Sequence, residues 1–380
     1  MFETDESTFR KLLAPVAFDE FFSVCWASRY VHIARDNPDF YKQLVPLEDV
    51  DTFLQNERTP AMMFEVVANG VTHGMETWSR WAESRHRHDQ VGVPEQLLAL
   101  YRKGATLILN YTDRTIPSIQ ALCHSLSQEL GFAVWANMYI TPPGGSGFGR
   151  HSDDHEVFVL QLHGQKAWTV YAADGTPVLV EMNAGDALYL PSGVEHSASC
   201  NVSASVHLTL ACGPAYGFEL IQELSRLAEK MPLFHKAAPL AGNGPARAKF
   251  AAEFQDALAE LLTKNNPSDL LRARWEREST LQRTIPGRLS SLLALSELNA
   301  DTRVQLSSGL HVRVEEEPKT IKVSWMKISR SFPLFLKKTV ETAVTGNAFR
   351  AGDLPGLLPP DGKLDLVRQF VADGLLQIVG

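Results

Sequence analysis

The stretch GRHSDDHEVFVLQLHGQKAWTVY, residues 149–171, joins a cluster of ionisable side chains to a long apolar run. Within the cluster, His151 and Asp153 are two positions apart. Residues two apart in a strand point to the same face, so we expect these two side chains to project together while Asp154 points away. An imidazole beside a carboxylate is a common start of a metal site. The pattern therefore predicts a strand that carries two of three metal ligands.

A candidate for the third ligand follows a turn in GDALYLPSGVEHSASCN, residues 185–201, a segment that resembles the second signature motif of cupin barrels. Its Pro-x-Gly turn reverses the chain, so the next strand can direct His196 toward the first pair. His196 lies 45 positions after His151 (196 − 151), which leaves room for intervening strands. A 2-His-1-carboxylate site of this kind holds Fe(II) with open positions for oxygen and a cosubstrate. The alternative is three unrelated surface residues.

Three neighbouring histidines have ordinary structural interpretations. His163 precedes Gly164 and is expected at a hairpin turn. His207 is expected to be a satisfied strand residue, although it shares a face with Thr209 two positions later. His155 would point to the same strand face as His151 and Asp153 but lies beyond them, so it is at most a contact to a metal ligand or to the substrate.

Lys166 suggests what the cosubstrate is. It precedes the apolar residues Ala167 to Val170 and would enter a barrel strand directly after a turn at Gly164. A buried ammonium is costly unless it meets an anion, so a lysine there indicates a carboxylate ligand. If the metal is iron, 2-oxoglutarate fits, because its 2-oxo acid end chelates the metal and its distal carboxylate can pair with the lysine. The alternative is a lysine that points outward from an edge strand.

Composition limits the remaining possibilities. The 380 residues exceed what one hydrophobic core usually supports, so we expect two or three domains. The net charge of −8 gives no sign of a nucleic-acid-binding protein, and no apolar run is long enough to span a bilayer. Four scattered cysteines without C-x-x-C spacing argue against disulfides and a cysteine zinc site. The amino terminus lacks the features of a secretory signal, and we expect a cytoplasmic protein without a membrane role.

Secondary-structure patterns change along the chain. Residues 1 to about 100 alternate helical periodicity with turns, and FDEFFSVCWASRYVHI is among the segments predicted to be helical. Short β-type runs separated by turn signals follow from about 104 to 214, as in a barrel or sandwich. Several amphipathic helices come next, and the last 80 or so residues combine a hairpin with helices in a winged-helix-like pattern.

At this point the sequence resembles the JmjC-type 2-oxoglutarate oxygenases, in particular the ribosomal oxygenase branch. The resemblance rests on ANMYITPPGGSGFGRHSDDHEVFVLQLHGQKAWTVY, on GDALYLPSGVEHSA and on SVHLTL. It extends to the amino-terminal FDEFFSVCWASRYVHI and to the helical and winged-helix-like segments, so it covers nearly the whole chain.

The resemblance implies a fold and a domain order. The fold would be α+β, a double-stranded β-helix (cupin/JmjC) barrel with amino-terminal helical decoration in residues 1–216. A helical dimerisation domain would occupy residues 217–299, which suits the amphipathic helices there. A winged-helix-like domain would occupy 300–380. In this branch that last domain is structural and acidic rather than a DNA reader, which agrees with the EEEP turn at 315–318.

The resemblance also implies roles for individual residues. The expected Fe(II) ligands are His151, Asp153 and His196, and Lys166 would bind the distal carboxylate of 2-oxoglutarate. Two further residues match positions that line the cosubstrate pocket in relatives; they are Asn137 and Thr209. One departure concerns the stretch between the H-x-D pair and His196, which looks shorter than in the ribosomal enzymes, where extra elements help to shape the substrate cleft.

We therefore expect a dioxygenase that uses Fe(II), 2-oxoglutarate and O₂ to hydroxylate a side chain of a protein, with succinate and CO₂ as coproducts. A histidine or arginine of a ribosomal protein is the favoured target, and the protein is expected to form a homodimer. The shorter insert favours an alternative substrate, a ribosomally synthesised natural-product precursor peptide. A third possibility is a non-catalytic cupin-type metal-binding interaction module, which would have no use for Lys166.

Overall fold

The structure is a computed structural model of the chain, and it describes residues 7–83, 88–172, 174–200, 203–214, 216–240, 244–279, 287–307, 310, 312–326 and 328–379. The chain divides into two compact units. The first contains residues 1–129 and 133–214, and the second contains 130–132 and 215–380. The division into three domains at 216 and 299 remains a prediction.

The described residues of the first unit form twelve strands: β1 (Val31–Ile33), β2 (Phe64–Ala68), β3 (Val71–Thr72), β4 (Ser79–Glu83), β5 (His88–Gly92), β6 (Thr106–Leu109), β7 (Ala133–Thr141), β8 (Glu156–Tyr171), β9 (Pro177–Asn183), β10 (Ala187–Leu190), β11 (His196–Ser199) and β12 (Ser205–Gly213). The helices of the same part of the chain are α1 (Thr8–Leu13), α2 (Phe18–Glu20), α3 (Leu47–Gln55), α4 (Pro94–Arg102) and α5 (Pro117–Leu130).

Strand β8 joins the two layers of the barrel. Its first half pairs with β12 and β10 in a large sheet of order β1-β10-β8-β12-β7-β6-β2-β3. Its second half pairs with β9 on one side and β11 on the other, which forms a smaller sheet. Both halves bury residues in one common core that includes Val159, Trp168, Val170 and Leu188. A single strand therefore contributes to both walls of the barrel.

The two halves of β8 are buried differently. Every residue from 156 to 161 is buried, because the outward side of this half is covered by aromatic residues of the amino-terminal segment. Rings of Phe9 and Phe21 lie 5.4 and 5.7 Å from the ring of Phe158. From Lys166 onward burial alternates with every second residue, which is typical of a strand with one face toward a core and one face open.

The predicted hairpin turn at residues 163–165 is wrong, because the chain continues through it as one strand. The register against β12 runs from Gln161 opposite His207 directly to His163 opposite Val206, so Leu162 has no partner. This is a β-bulge, and one extra residue exchanges the faces of everything that follows it. Inward residues are odd-numbered before the bulge and even-numbered after it, which places Lys166 on the inward face.

The helical prediction for FDEFFSVCWASRYVHI is correct only for its first half. Helical turns end at Cys25, and residues 31–33 form β1, which pairs with β10. Ala27 has a left-handed backbone with φ of 53°, and its N–H donates to the Tyr189 hydroxyl at 2.8 Å. This tertiary contact on the barrel redirects the chain, which helical periodicity did not indicate.

The second unit begins with α6 (Gly217–Ala228), α7 (Gly244–Lys264), α8 (Pro267–Ser279) and α9 (Arg288–Leu293). The remaining elements are β13 (Arg303–Leu306), β14 (Val312–Glu316), β15 (Thr320–Trp325), β16 (Ile328–Pro333), α10 (Lys337–Ala343), β17 (Phe349–Arg350), α11 (Pro360–Ala372) and β18 (Leu376–Ile378). Strands β14, β15 and β16 form one sheet, and β17, β13 and β18 form another. A core around Val304, Trp325 and Phe370 holds this carboxy-terminal part together.

Among the helices that the structure describes, none combines the length and the apolar character needed to cross a membrane.

We predict that Gly164→Ala destabilises the protein strongly. Gly164 has φ of +66°, and a Cβ there would lie 1.7 Å from the carbonyl oxygen of Ala204. The left-handed conformation alone costs about 1–2 kcal/mol for a non-glycine residue, and the clash adds to it, so we expect a loss of about 3 kcal/mol or more. The free energy of unfolding is measured by chemical denaturation.

Gly175→Ala is the matched control. Gly175 also has a positive φ, +82°, but no atom lies within 4 Å of its added Cβ. Its loss should stay at about 1–2 kcal/mol. Equal losses at the two positions would contradict the close packing of the bulge against the start of β12.

Candidate metal centre

Three predicted ligands come together at the mouth of the barrel. The ligand atoms of His151, Asp153 and His196 all lie within 4.8 Å of one another, and no other such group of three was found among the described residues. Asp153 Oδ2 lies 3.7 Å from His196 Nε2. Two imidazoles and a carboxylate at this spacing can hold one divalent transition-metal ion.

Backbone pairing brings the two histidines together. The N–H of His151 donates to the carbonyl of His196 at 3.0 Å, and the N–H of His196 donates back at 2.7 Å. The imidazole centroids are consequently 4.4 Å apart. The prediction that His151 and Asp153 share a regular strand is wrong, because β8 begins only at Glu156. Asp153 reaches the site from a loop, held by a hydrogen bond from Gly193 N–H to its carbonyl at 2.8 Å.

Both imidazoles are oriented by the same kind of contact. His151 Nδ1 lies 2.9 Å from the Gly149 carbonyl oxygen, and His196 Nδ1 lies 3.0 Å from that of Val194. A carbonyl only accepts, so Nδ1 must carry the proton and donate. The Nε2 lone pair of each ring is then available to a metal. In this way the two carbonyl groups fix the tautomer in which each histidine can act as a ligand.

Burial keeps His196 in the form that can bind a metal. Burial lowers the pKa of His196 and the neighbouring His151 lowers it further, whereas the hydrogen bond to the Val194 carbonyl and the charge of Asp153 act in the opposite direction. The His196 side chain is only 5% exposed, and the indole of Trp168 lies 5.7 Å from its ring. His196 is therefore neutral near pH 7, as a ligand histidine must be.

Lys166 is buried on the inward face of β8 at 2% exposure. Its Nζ donates to Thr141 Oγ1 at 3.0 Å, and Thr106 donates to the same oxygen at 3.2 Å. Burial lowers the pKa of Lys166 to about 8. No carboxylate of the described residues forms an ion pair with it, so the structure contains a buried ammonium whose charge is not compensated.

Three further polar atoms of the barrel interior lack hydrogen-bond partners among the described residues. They are Gln161 Oε1, Trp168 Nε1 and His207 Nδ1, and each is buried. His207 stacks on Tyr139 with ring centroids 4.7 Å apart, and its ring lies 5.5 Å from that of Trp168. Burial and the charge of Lys166 hold the pKa of His207 well below its usual range. Buried polar groups are seldom left unpaired, so this cluster is suited to a polar ligand.

Asn137 and Thr209 lie directly opposite each other on β7 and β12. They share the face that carries Tyr139 and His207, and both are half-buried. Asn137 Oδ1 accepts a hydrogen bond from the Tyr111 N–H at 2.9 Å. The structure thus places both residues on the inward side of the barrel, and their contact with a cosubstrate remains a prediction.

Sequence reasoning missed part of the pocket. It assigned His207 to a satisfied strand position, but Nδ1 of this residue has no partner among the described atoms. It attached no role to Thr141 or Trp168. The available signal was the shared face of His207 and Thr209. His155 stays outside the metal group: its Nδ1 lies 2.9 Å from Asp154 Oδ1, and its ring packs near Trp135.

Comparison with known proteins identifies relatives of this site and fold. The family model described as "JmjC domain" matches residues 110–180. Ribosomal oxygenase 1 of Danio rerio is 30% identical over 224 residues, which cover 53% of this chain and 40% of the relative. The bifunctional lysine-specific demethylase and histidyl-hydroxylase NO66 of Drosophila grimshawi is 28% identical over 222 residues, which cover 53% of this chain and 30% of the relative.

A solved structure extends the likeness over almost the whole chain. YcfD, a ribosomal oxygenase from Escherichia coli in complex with cobalt and 2-oxoglutarate, matches with a TM-score of 0.52 at 16% identity. The match covers 96% of this chain and 99% of that one. By contrast, the matched region spans less than half the length of either curated relative, 40% and 30%.

The predicted cupin/JmjC fold of mixed α and β content is confirmed by these matches. The resemblance that the motifs indicated is confirmed as a similarity: residues 110–180 match the JmjC domain model, and about half of the chain is similar in sequence to ribosomal oxygenase 1.

Proposed function

We propose that the protein is an Fe(II)- and 2-oxoglutarate-dependent oxygenase that hydroxylates a side chain of a protein. The observation that carries the proposal is Lys166, a buried ammonium without an acidic partner among the described residues, inside the barrel whose mouth holds the triad. A metal-binding module without activity would gain nothing from burying that charge. The relatives, named as ribosomal oxygenases and a histidyl-hydroxylase, support the same class of reaction.

The triad suits ferrous iron. His151, Asp153 and His196 would hold the metal through Nε2, a carboxylate oxygen and Nε2. Three protein ligands leave coordination positions open for the cosubstrate and oxygen. When bound, the iron supplies oxygen activation coupled to the conversion of 2-oxoglutarate and O₂ into succinate and CO₂. The cobalt in the E. coli relative's structure supports a divalent transition metal at such a site.

The interior of the barrel suits a dicarboxylate. Lys166 would pair with the distal carboxylate of 2-oxoglutarate, and the unpartnered N–H donor of Trp168 offers it a further hydrogen bond. Asn137 and Thr209 would line the same pocket from β7 and β12. The protein residues hold and orient the cosubstrate and exclude water, which strengthens every charge interaction inside.

A ribosomal protein, modified at a histidine or arginine, is the proposed substrate. The names of the curated relatives support it. A precursor peptide is the second candidate. It is favoured by the short connection between β8, which ends at Tyr171, and β9, which starts at Pro177. A longer insert at this point would help to shape a cleft for a specific protein. The net charge of −8 disfavours direct nucleic-acid binding, and a cytoplasmic location fits either substrate.

We also propose that the helical segment 217–299 forms a homodimer. Helix α7 carries Phe254, Leu258 and Leu262, each 40% exposed and four residues apart on one stripe. In α6, Phe218 and Ile221 are 58% and 68% exposed. Apolar stripes of this kind usually mark interaction sites. The segment 300–380 is proposed to be winged-helix-like, supported by its hairpin and two helices.

We expect the purified protein to convert 2-oxoglutarate to succinate in the presence of ferrous iron. Asp153→Asn should lower this turnover by about 100-fold or more, because a neutral amide is a much poorer metal ligand than a carboxylate. Succinate is quantified by mass spectrometry, and metal content is measured in parallel.

Asp154→Asn is the matched control, because the carboxylate of Asp154 is fully exposed and does not belong to the triad. It should retain the turnover of the unchanged protein. If freshly iron-loaded protein formed no succinate, or if the two variants behaved alike, the proposed activity would be refuted.

A third prediction concerns pH. Lys166 must be protonated to bind a carboxylate, and in the free protein its pKa is lowered to about 8. The affinity for 2-oxoglutarate should therefore be constant below that pH and fall about tenfold per unit above it. Lys166→Arg, whose charge persists throughout, should remove this dependence if the larger group is accommodated, and Lys166→Met should bind poorly at every pH.

Binding is measured by isothermal titration calorimetry of the metal-loaded protein between about pH 7 and 9.5, above the usual titration range of histidine. Lys166→Met protein that binds 2-oxoglutarate as tightly as the wild type would show that Lys166 is not the group that binds the cosubstrate. Wild-type affinity that does not change across this window would contradict the lowered pKa of Lys166.

A fourth prediction tests the dimer. Leu258→Glu places a charge in the exposed apolar stripe of α7 and should shift the protein from dimer to monomer. Light scattering coupled to size-exclusion chromatography measures the mass. Asp256→Lys changes a neighbouring exposed position of the same helix and should leave the mass unchanged. Identical masses for wild type and Leu258→Glu would argue against this interface.

A further inference from the structure

A groove of about 600 Å³ lies on the outer face of the small sheet β9-β8-β11, opposite the barrel interior. We call it the outer groove. Its floor is made of short side chains from β8 and β11: Ala167, Thr169, Ser197 and Ser199. The β-bulge explains this floor, because the even-numbered residues of β8 turn inward and leave the odd-numbered ones outside.

The register defines the walls of the groove. Thr169 lies between Leu179 of β9 and Ser197 of β11, and Ala167 lies next to Glu181 of β9. On the far side the groove is bounded by the loop 146–150, which leads into the metal-binding segment. Short residues between two higher walls leave a trough along the strands, a shape that suits an extended polypeptide.

The loop that bounds the outer groove leads to the candidate metal centre. The ring of Phe148, from the bounding loop, lies 5.9 Å from the imidazole of His151. In the same loop, the guanidinium of Arg150 stacks on Tyr171 at 3.7 Å and forms an ion pair with Glu195. A chain that occupies the groove would thus be a few residues from the mouth of the barrel.

The lining of the outer groove contains one acidic side chain, Glu181, and one basic side chain, Arg150. The one cation in its lining, Arg150, is neutralised by Glu195, whereas no basic residue of the described chain forms an ion pair with Glu181. Leu179 beside it is 78% exposed. A lysine or arginine of a ligand could lay its methylene groups on Leu179 and place its charge at Glu181. The net charge of −8 adds long-range attraction for a basic partner.

We propose that the outer groove binds a basic polypeptide segment of the protein substrate, away from the residue that is modified. This rests on the proposed function for the identity of the partner, but binding itself requires neither iron nor 2-oxoglutarate. The groove would select substrates by a lysine- or arginine-rich flanking segment, and Glu181 would be a specificity-determining residue that takes no part in the reaction.

The test is a binding titration with the full-length, metal-free protein. The probe is a short fluorescein-labelled peptide of alternating arginine and glycine, compared with a counterpart that has glutamate in place of arginine. Fluorescence anisotropy reports affinity. Glu181→Lys reverses the groove charge, and Thr169→Trp fills the floor. Asp51→Lys, at an exposed position of α3 that does not line the groove, makes the same change in net charge.

We expect Glu181→Lys and Thr169→Trp to weaken binding of the arginine peptide by about tenfold or more, and Asp51→Lys to weaken it by less than about twofold. The glutamate peptide should not bind. Equal effects of Glu181→Lys and Asp51→Lys would show that overall charge alone explains peptide binding, and this would overturn the proposal. Unchanged binding by Thr169→Trp would also overturn it.

Succinate formation without peptide, measured on the same preparations after iron loading, separates the two proposals. If the wild type formed no succinate, the proposed oxygenase activity would be refuted. The metal-free titration would still test whether the outer groove binds the peptide. Normal succinate formation by Glu181→Lys, together with lost peptide binding, would support both. Circular dichroism checks that Thr169→Trp is folded.

Discussion

The β-bulge at Leu162 is the local feature on which the rest of the barrel depends. One residue of β8 without a partner on β12 exchanges the two faces of the strand halfway along its length. The first half can then lie in the large sheet, where aromatic residues cover its outer side. The second half lies in the small sheet and directs Lys166 and Trp168 into the interior of the barrel. Gly164 permits the required backbone, because its left-handed φ and its contact with Ala204 leave no space for a Cβ.

The interior of the barrel holds several buried polar groups beside its apolar core. An ammonium that has no acidic partner and three polar atoms that have no hydrogen-bond partner among the described residues are retained there, each at a cost in folding stability. Such a cost is expected at a site whose remaining partners belong to a ligand. The surrounding apolar core and the reciprocal hydrogen bonds between His151 and His196 hold these groups in place before any ligand arrives, which limits the entropy lost on binding.

Because side chains alternate along a strand, the second half of β8 builds two surfaces at once. Its inward residues face the proposed cosubstrate, and its outward residues form the floor of the outer groove. Residues of one face can change without disturbing the other, since they share only the backbone. The proposed chemistry and the proposed recognition of a basic segment would thus be separable properties of one strand.

Spacing within the sequence selected His151, Asp153 and His196 as candidate ligands, and Lys166 became a candidate beside them, because metal and carboxylate ligands need particular residue types on particular faces; their roles stay predictions. Local patterns also located most strands and helices. They were wrong where a long-range contact decided the outcome: the supposed turn at 163–165 lies within β8 directly after the bulge at Leu162, Asp153 lies in a loop, and residues 31–33 form an edge strand. The unpaired atoms of His207 and Trp168 and the outer groove depend on which strands pair and in what register. Register is set by hydrogen bonds between residues far apart in the chain, and these partners exist only once the barrel has closed.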